Sequence, residues 1–436
     1  MNIKNIPLLP AIVERAKDAA RAVKQGVFVL ITPASDATVT HLLDLAQFTV
    51  TGYGIEREEK QDILHINGEI NTKVAICPSC HSLSSTVKEY KDRCVRDCDV
   101  WGKRTFLHFQ TRRFECPECG HRFTEELKAI DWRRRQTIRF EQQVYEACLG
   151  NSKKGTAEIF HLSYTTVHRI FKRWAKKQRK GKRLGLVRVL GIDEISLKKR
   201  HKQFAVVISD LERHCVLAVL PDRKHETLKK WLDTLSDEQR ATIKTVSMDM
   251  WGPYRHFFKK HLPKARRVAD RFHVMQQLNK QLGKARLAYQ RKADEDTQTA
   301  LKGCRWLFVM ARDNLSQKQE QKLMTALEVA PELKQIYLLK EEFRLVFERV
   351  EDKQQAQRFL QAWICKAQAS GSKYLSTFIK TLRNWWSEIL NYFDNRITNG
   401  FVEGINRAIR GIIWRAYGFR NFENFKLQIL AEHGFS

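Results

Sequence analysis

The sequence predicts a multidomain α+β chain in which a small zinc-binding ribbon and a helix-turn-helix precede an α/β core interrupted by a large all-helical insertion. Three observations carry this. Two Cys-x-x-Cys pairs, Cys77-Pro-Ser-Cys80 and Cys116-Pro-Glu-Cys119, have the form of metal knuckles. Between Phe140 and Trp174 the apolar residues recur at helical spacing in three short blocks. From Leu186 to Asp270 short apolar strands follow one another, and from His273 to about Phe393 nearly everything reads as helix. A length of 436 residues gives a soft prior of roughly three domains of about 150 residues. With 43% hydrophobic and 29% charged residues the chain folds rather than staying disordered.

The balance of 78 Lys+Arg against 49 Asp+Glu, a net charge of +29, points to a polyanionic partner, for which nucleic acid is the usual one. Ribosomal and membrane-surface proteins share such an excess. The ten Trp and a large acid-bearing domain argue against the first, and no basic amphipathic anchor appears for the second. No apolar run approaches the ~18–20 residues that span a bilayer, and the start, Met1-Asn-Ile-Lys-Asn-Ile-Pro7, lacks a signal-peptide core. A cytoplasmic, nucleoid-associated protein with no membrane partner is expected. Ten Cys in a chain this long are not a disulfide framework, so reduced thiols or metal ligands are expected.

Residues 1–40 assign no function. Ile12 to Val23 fits an amphipathic helix and Val27 to Thr32 a strand, and the stretch from His41 to Glu69 reads as a small β hairpin. Each Cys pair holds two thiolates on a tight turn, so Cys77, Cys80, Cys116 and Cys119 can close a tetrahedral structural zinc site. A redox dithiol is the competing chemistry, but two pairs, each with Pro after its first Cys, suit a structural ion better. Cys94, Cys98, His81, His108 and His121 are spare donors more at home in packing or at the surface.

After the basic joint Asp131–Gln136 come a helix from Phe140 to Leu149, a second from Gly155 to Phe160, and a third from Tyr164 to Trp174 with Ser163 as its N-cap. In this helix-turn-helix Ala157, Ile159, Leu162, Val167 and Ile170 are expected inside. Tyr164, Thr165, His168, Arg169 and Lys172 are expected outside, placed to enter a major groove or touch phosphates. A purely structural three-helix bundle is the alternative. Lys176–Arg183 reads as a basic linker able to track a phosphate backbone.

The core that follows has strands at Leu186–Asp193, Gln203–Asp210 and Cys215–Leu220, a helix, a strand running into Asp249, a helix, and a strand at Arg267–Asp270. The order β-β-β-α-β-α-β is that of a ribonuclease-H-like sheet, in which the first and fourth strands are neighbours. Asp193 and Asp249 would then meet, with Glu194 on the opposite face because side chains alternate. A third acid, Glu403, stands between glycines at the start of a basic helix. Three carboxylates delivered by separate elements of a basic chain suggest a metal-dependent phosphodiester site, and hard oxygen donors suit magnesium or manganese. Trp363, Trp385 and Trp386 read as core, and Trp251 as a residue able to stack on a base.

From about His41 onward the chain resembles the ISL-three-type bacterial insertion-sequence transposases of the DDE superfamily. The motifs are the two Cys pairs, Gly191-Ile-Asp-Glu194, Ser247-Met-Asp-Met-Trp-Gly-Pro-Tyr254, Val268-Ala-Asp-Arg-Phe-His-Val274, Asn399-Gly-Phe-Val-Glu-Gly-Ile-Asn-Arg407 and Tyr417-Gly-Phe-Arg-Asn421. Each alone is weak; their order and spacing together are specific. The resemblance implies Asp193, Asp249 and Glu403 as the DDE triad on a two-metal site. It implies Asp270 and His273 as supporting residues, and Arg410, about two turns beyond Glu403, as a basic DNA contact, with Asn406 and Arg407 as weaker ones. The implied divisions are 1–70 (unassigned), 71–130 (zinc), 131–183 (helix-turn-helix and linker), 184–275 (first part of the core), 276–395 (helical insertion) and 396–436 (last part, with the third acid).

The implied activity is metal-dependent cleavage and strand transfer on double-stranded DNA. Its partners are the terminal inverted repeats of an element and a target, engaged by a dimer or larger assembly. A DNA-binding regulator that has lost catalysis, and a ribonuclease-H-like nuclease or resolvase, are the alternatives. The complete triad disfavours the first, and the separate sequence-reading module disfavours the second.

Overall fold

The computed structural model describes residues 28–30, 37–45, 47–59, 61–131, 133–181, 184–198, 203–396 and 400–435. The helix expected over Ile12–Val23, the end of the basic linker at Lys182 and Arg183, and Asn399 lie outside the described residues. The chain forms two compact units, Met1–Lys177 and Gln178–Ser436.

In the first unit, β1 (Phe28–Leu30), α1 (Ala37–Leu43), β2 (Phe48–Glu56) and β3 (Ile63–Ile70) precede a two-stranded knuckle of β4 (Ala75–Ile76) and β5 (Leu83–Ser84). A long hairpin of β6 (Val87–Val100) and β7 (Lys103–Glu115) follows, then β8 (Arg122–Thr124). The sheet runs β1-β2-β3-β7-β6, with β8 against β7. The hairpin expected between His41 and Glu69 is the antiparallel pair β2–β3. Because β3 pairs in parallel with β7, from Ile63 opposite Arg104 to Asn67 opposite His108, the division expected at 70/71 runs through this sheet. Strand β6 was not legible: Lys88, Glu89, Lys91, Asp92 and Arg93 crowd its first half, and only Val95, Arg96 and Asp97 are buried.

The three expected helices are α2 (Ile138–Gly150), α3 (Lys153–Ile159) and α4 (Tyr164–Arg179). Local capping sets each start. Thr137 accepts from Phe140 N–H, Ser152 from Gly155 N–H, and Ser163 Oγ from Thr166 N–H at 3.2 Å. Ala157, Val167 and Ile170 are buried as expected and Leu162 partly so, but Ile159 is exposed. Helix α3 ends there, and Phe160 turns inward instead, packing edge-on against Phe140 at 5.7 Å. The basic stretch from Lys176 to Arg179 is the last turn of α4 rather than a linker.

A buried carboxylate ties the sheet to this helical bundle. Asp97 of β6 is fully buried and accepts from Thr137 Oγ1 at 2.6 Å and from the Arg139 guanidinium, whose Nε lies at 2.8 Å. Backbone bonds from Arg96 to Arg135 and from Thr137 to Arg96 run alongside.

The second unit begins with β9 (Val189–Lys198), β10 (Gln203–Asp210), β11 (Cys215–Leu220), α5 (His225–Leu232), α6 (Asp237–Thr242), β12 (Thr245–Met248), α7 (Gly252–His261) and β13 (Arg266–Ala269). The sheet order is β11-β10-β9-β12-β13: β9, β10 and β11 are antiparallel, whereas β12 runs parallel to both β9 and β13. Helices α8 (Arg271–Gln290), α9 (Glu295–Leu301), α10 (Arg305–Val309), α11 (Gln317–Glu328), α12 (Pro331–Arg349), α13 (Lys353–Ala369), α14 (Lys373–Asn384), α15 (Trp386–Leu390) and α16 (Tyr392–Asn395) follow, and α17 (Gly400–Arg415) and α18 (Phe422–His433) end the chain. Trp363 and Trp385 are core residues, and the Trp363 indole donates to Leu339 O at 2.8 Å.

Each sheet face has its own cover. One packs Leu190, Ile192, Val206 and Ile208 against α5, α7, α8 and the helical block. The other packs Ile195, Ala205, Val207 and Val219 against Ile405, Ile409 and Ile412 of α17 and Phe425 and Ile429 of α18. Gly191 permits the second contact: a Cβ there would lie 2.6 Å from Leu211 and 3.2 Å from Val402.

Replacing Asp97 by Ala strands buried donors and should lower the stability of the first unit by about 3 kcal/mol in urea titrations. That is the low end of the cost of breaking a buried pair, because Arg139 stays partly wet. Unchanged stability would show that the clamp contributes nothing.

Candidate active site and zinc cluster

Strand register decides which acids meet. Ser247 pairs with Gly191 on one side and with Val268 on the other. Continuing both registers by two residues sets Asp193, midway along β9, level with Asp249 and Asp270, which lie just beyond the carboxyl ends of β12 and β13, where open α/β sheets place their sites. Asp270 is buried and N-caps α8, accepting from Phe272 N–H at 3.0 Å. That cap fixes the first turn of α8 and with it His273. The imidazole lies among the three acids: Nδ1 is 3.3 Å from Asp249 Oδ1, and Nε2 is 3.6 Å from Asp193 Oδ1 and 3.7 Å from Asp270 Oδ2. Burial alone would depress its pKa. The hydrogen bond that the imidazole donates to Asp193 and the charges of Asp249, Asp270 and Asp193 outweigh burial and raise the pKa to about 9.

Backbone amides orient Asp193 and Asp249. Glu194 N–H donates to Asp193 Oδ1 at 2.7 Å, and Met250 N–H donates to Asp249 Oδ1 at 2.5 Å. Glu194 itself points to the opposite face, as alternation requires. It accepts from Tyr254 Oη at 2.9 Å and from Arg223, whose guanidinium lies 4.3 Å from the Trp251 ring centre. Burial, and then the adjacent Glu194 charge, push the Tyr254 phenol far above its ordinary pKa.

The third expected acid behaves differently. Glu403 is exposed on α17 and pairs loosely with Arg407 at 3.6 Å. Among the described residues, the ligand atoms of Asp193, Asp249 and Glu403 do not gather within 4.8 Å of one another. The group on α17 that reaches the site is Asn406, one turn further on. Expected to face DNA, it is only 7% exposed, and its Nδ2 donates to Asp193 Oδ2 while its buried Oδ1 has no hydrogen-bond partner. Apolar neighbours at helical spacing, Val402, Ile405 and Ile409, draw it inward. Arg407 and Arg410 remain exposed.

In the first unit the two knuckles share one backbone pattern. His81 N–H bonds Cys77 O at 2.9 Å and Gly120 N–H bonds Cys116 O at 3.0 Å, with both residues left-handed at φ 63° and 67°. His81 therefore does the work of a turn residue. The Sγ atoms of Cys77, Cys80, Cys116 and Cys119 lie within 4.8 Å of one another, with Cys77–Cys119 at 3.7 Å and Cys80–Cys116 at 3.4 Å. Tetrahedral Zn–S bonds of about 2.3 Å separate sulfurs by about 3.8 Å, so the cage fits zinc. None of the spare donors joins it; His108 instead bonds His65 at 2.9 Å. On α4, Tyr164, Thr165 and Arg169 are exposed, whereas His168 and Lys172 are half-buried and His168 stacks on Tyr164. A groove of about 1720 Å³ lined by Lys91, Arg113, Arg122, Lys128, Arg133 and Arg135 also reaches the turn at His161 and Leu162. The sequence marked only its Asp131–Gln136 edge, since β6 was not recognised.

Comparison with known proteins agrees with this construction. A family model described as a transposase, the DDE domain of ISL3 elements, matches residues 190–429. The helix-turn-helix domain of transposase family ISL3 matches residues 121–175, and the zinc-finger of transposases IS204/IS1001/IS1096/IS1165 matches residues 73–119. The transposase for insertion sequence element IS1001 of Bordetella parapertussis is 30% identical over 389 residues, covering 87% of this chain and 95% of that protein. The transposase for IS1557 of Mycobacterium tuberculosis is 27% identical over 350 residues, covering 74% of this chain and 77% of its own. The class is that of DDE transposases, enzymes that cleave and transfer DNA strands. Within it, this chain belongs to the ISL3 family. Among the described residues no helix is long and apolar enough to cross a membrane.

Stripping zinc with a strong chelator should release about one equivalent per chain and lower the melting temperature of the first unit, because a closed four-thiolate site contributes directly to folding. Cys116→Ser should melt early with or without added zinc. A chelated protein that melts like the untreated one would refute the structural ion.

Proposed function

We propose that this transposase binds the terminal inverted repeats of its element through the zinc ribbon and helix-turn-helix, cleaves there to free 3′-OH ends, and joins them to target DNA. Joining two ends in one event calls for at least two copies assembled on DNA, on the bacterial nucleoid. The catalytic part is read as ribonuclease-H-like, a reading supported by its β11-β10-β9-β12-β13 order and its change from antiparallel to parallel pairing. Residues 276–395, from within α8 to the end of α16, are read as an insertion between the strands and the third acid. The observation that carries the proposal is the convergence of Asp193 and Asp249 on one side of the sheet, level in register and bridged by His273.

Asp193, Asp249 and Glu403 are the residues that would hold magnesium or manganese. Hard carboxylate oxygens suit those ions, and the unpartnered buried Oδ1 of Asn406 beside Asp193 marks a polar site with donor capacity to spare. Two such ions would supply Lewis-acid activation of a water or 3′-OH and neutralise the leaving oxygen. The chain's own residues set the geometry. Amides of Glu194 and Met250 fix one oxygen of each Asp, Asn406 holds the other oxygen of Asp193, and Asp270 places His273 by capping α8. Glu403 shares the helix of Asn406 at a spacing of one turn, so to join the same acids its carboxylate would have to turn from the exposed position in which it faces Arg407. Arg407 and Arg410, exposed on that helix, are placed to contact phosphates, as are Tyr164, Thr165, His168, Arg169 and Lys172 of α4.

The test is incubation of the purified protein with DNA carrying the repeats that flank its own gene, with and without magnesium, beside Asp249→Asn. Magnesium-dependent nicking at the element ends should fall roughly a thousandfold or more in the variant, while repeat binding persists. Tight binding without cleavage in any divalent metal would overturn the catalytic reading. In the same assay Asn406→Leu should weaken cleavage and raise the magnesium concentration needed for half-maximal rate. An unchanged magnesium dependence would remove Asn406 from the site.

A further inference from the structure

Helix α17 presents a second kind of surface beside the acids. Glu403, Arg407, Arg410 and Trp414 recur at four-, three- and four-residue intervals, which keeps them within about 40° of one line along the helix. Tyr417, three residues beyond Trp414, continues the series into the helix cap. Opposite this line lie Val402, Ile405, Ile409 and Ile412, buried against the sheet. The line itself is open: Trp414 is 82% and Tyr417 96% exposed. Exposed aromatics of this size contribute little to the fold of this unit.

Tyr417 is also held where its side chain is disfavoured. Its φ is 52°, followed by Gly418 at 90°, so the chain leaves α17 through two left-handed residues. Tyr417 N–H bonds Trp414 O at 3.0 Å and Gly418 N–H bonds Ile413 O at 2.9 Å, which closes the helix end. Glycine or asparagine is the usual occupant of the first such position, because a Cβ there crowds the backbone. Here the position carries a large aromatic ring that packs against almost nothing. An aromatic side chain kept in a strained conformation without burial is explained by something it meets from outside.

We propose that Trp414 and Tyr417 form a stacking platform for unpaired DNA bases, with Arg407 and Arg410 neutralising the phosphates between the platform and the acids. This rests on the catalytic reading above and extends it. The charge of the strip selects a polyanion, and its two exposed rings select one whose bases are unstacked, since paired bases inside a duplex offer no free faces. Trp414 lies eleven residues beyond Glu403, about 16 Å along the helix axis, which corresponds to at most about five nucleotides at the 3.4 Å rise of a duplex strand and to fewer where the bases are unstacked. The platform would therefore engage bases opened a few nucleotides from the scissile phosphate.

The test needs no knowledge of the element ends. The full chain is titrated with a twelve-nucleotide oligothymidylate and with an abasic oligomer of the same length and charge, and the affinity ratio is compared with that of Trp414→Ala/Tyr417→Ala. The wild type should prefer the base-bearing oligomer by about five- to a hundredfold, the range expected of one or two base–aromatic stacks, and the double variant should lose that preference. Affinity for a paired duplex of the same length and the melting temperature should not fall. Tyr417→Gly separates strain from function: it should raise the melting temperature while weakening the oligothymidylate. A ratio unchanged by the double substitution overturns the platform. A double variant that instead loses DNA-free self-association assigns the strip to contact between copies and overturns it equally. Should the repeats not be cleaved while the base preference stands, the catalytic reading fails and the platform survives.

Discussion

The catalytic half of this protein depends on one constraint, the parallel register of β12 between β9 and β13. Parallel pairing leaves no freedom to slide by one residue without turning every side chain to the wrong face. Fixing Ser247 opposite Gly191 and Val268 therefore fixes the levels of Asp193, Asp249 and Asp270 together. Everything else at the site follows from that placement. Like charges so close repel, and a cationic imidazole between them relieves the repulsion; His273 occupies that position because Asp270 caps the helix that carries it. The absence of a side chain at Gly191 then lets α17 approach, so that Asn406 reaches Asp193.

Much of this was legible in the sequence, for reasons that differ from element to element. The strands of the core are apolar on both faces because helices cover both, and such runs bounded by charge and glycine are easy to recognise. The paired Cys knuckles announced themselves through spacing, and the cap Ser163 through residue type. The division of Asp193 from Glu194 onto opposite faces followed from alternation alone.

What the sequence hid has an equally physical basis. Strand β6 has one solvated face and a second face covered only around Val95, so its charges mask the period-two signal. Ile159 looked inward because a helix was assumed to continue through Phe160; a cap one residue earlier reversed the two. Asn406 and Glu403 differ by one helical turn, and only the packing of Ile405 and Ile409 decides which of them turns toward the sheet. The parity of Tyr164, Thr165 and Arg169 with His168 and Lys172 was similarly blurred, because the latter two lie at the edge of the buried stripe.

The Asp97 clamp carries a consequence for the nucleic acid rather than for the protein. It joins the sheet that bears the basic groove to the first helix of the reading bundle through buried, charge-assisted bonds. The two surfaces therefore form a ruler of fixed length. A duplex that touches both must present its phosphates and its base edges at a single phase, and one added base pair rotates that phase by about a tenth of a helical turn. Ends bound through both surfaces would tolerate drift unequally: letters could change one at a time, while the count of letters between the two contacts would be held.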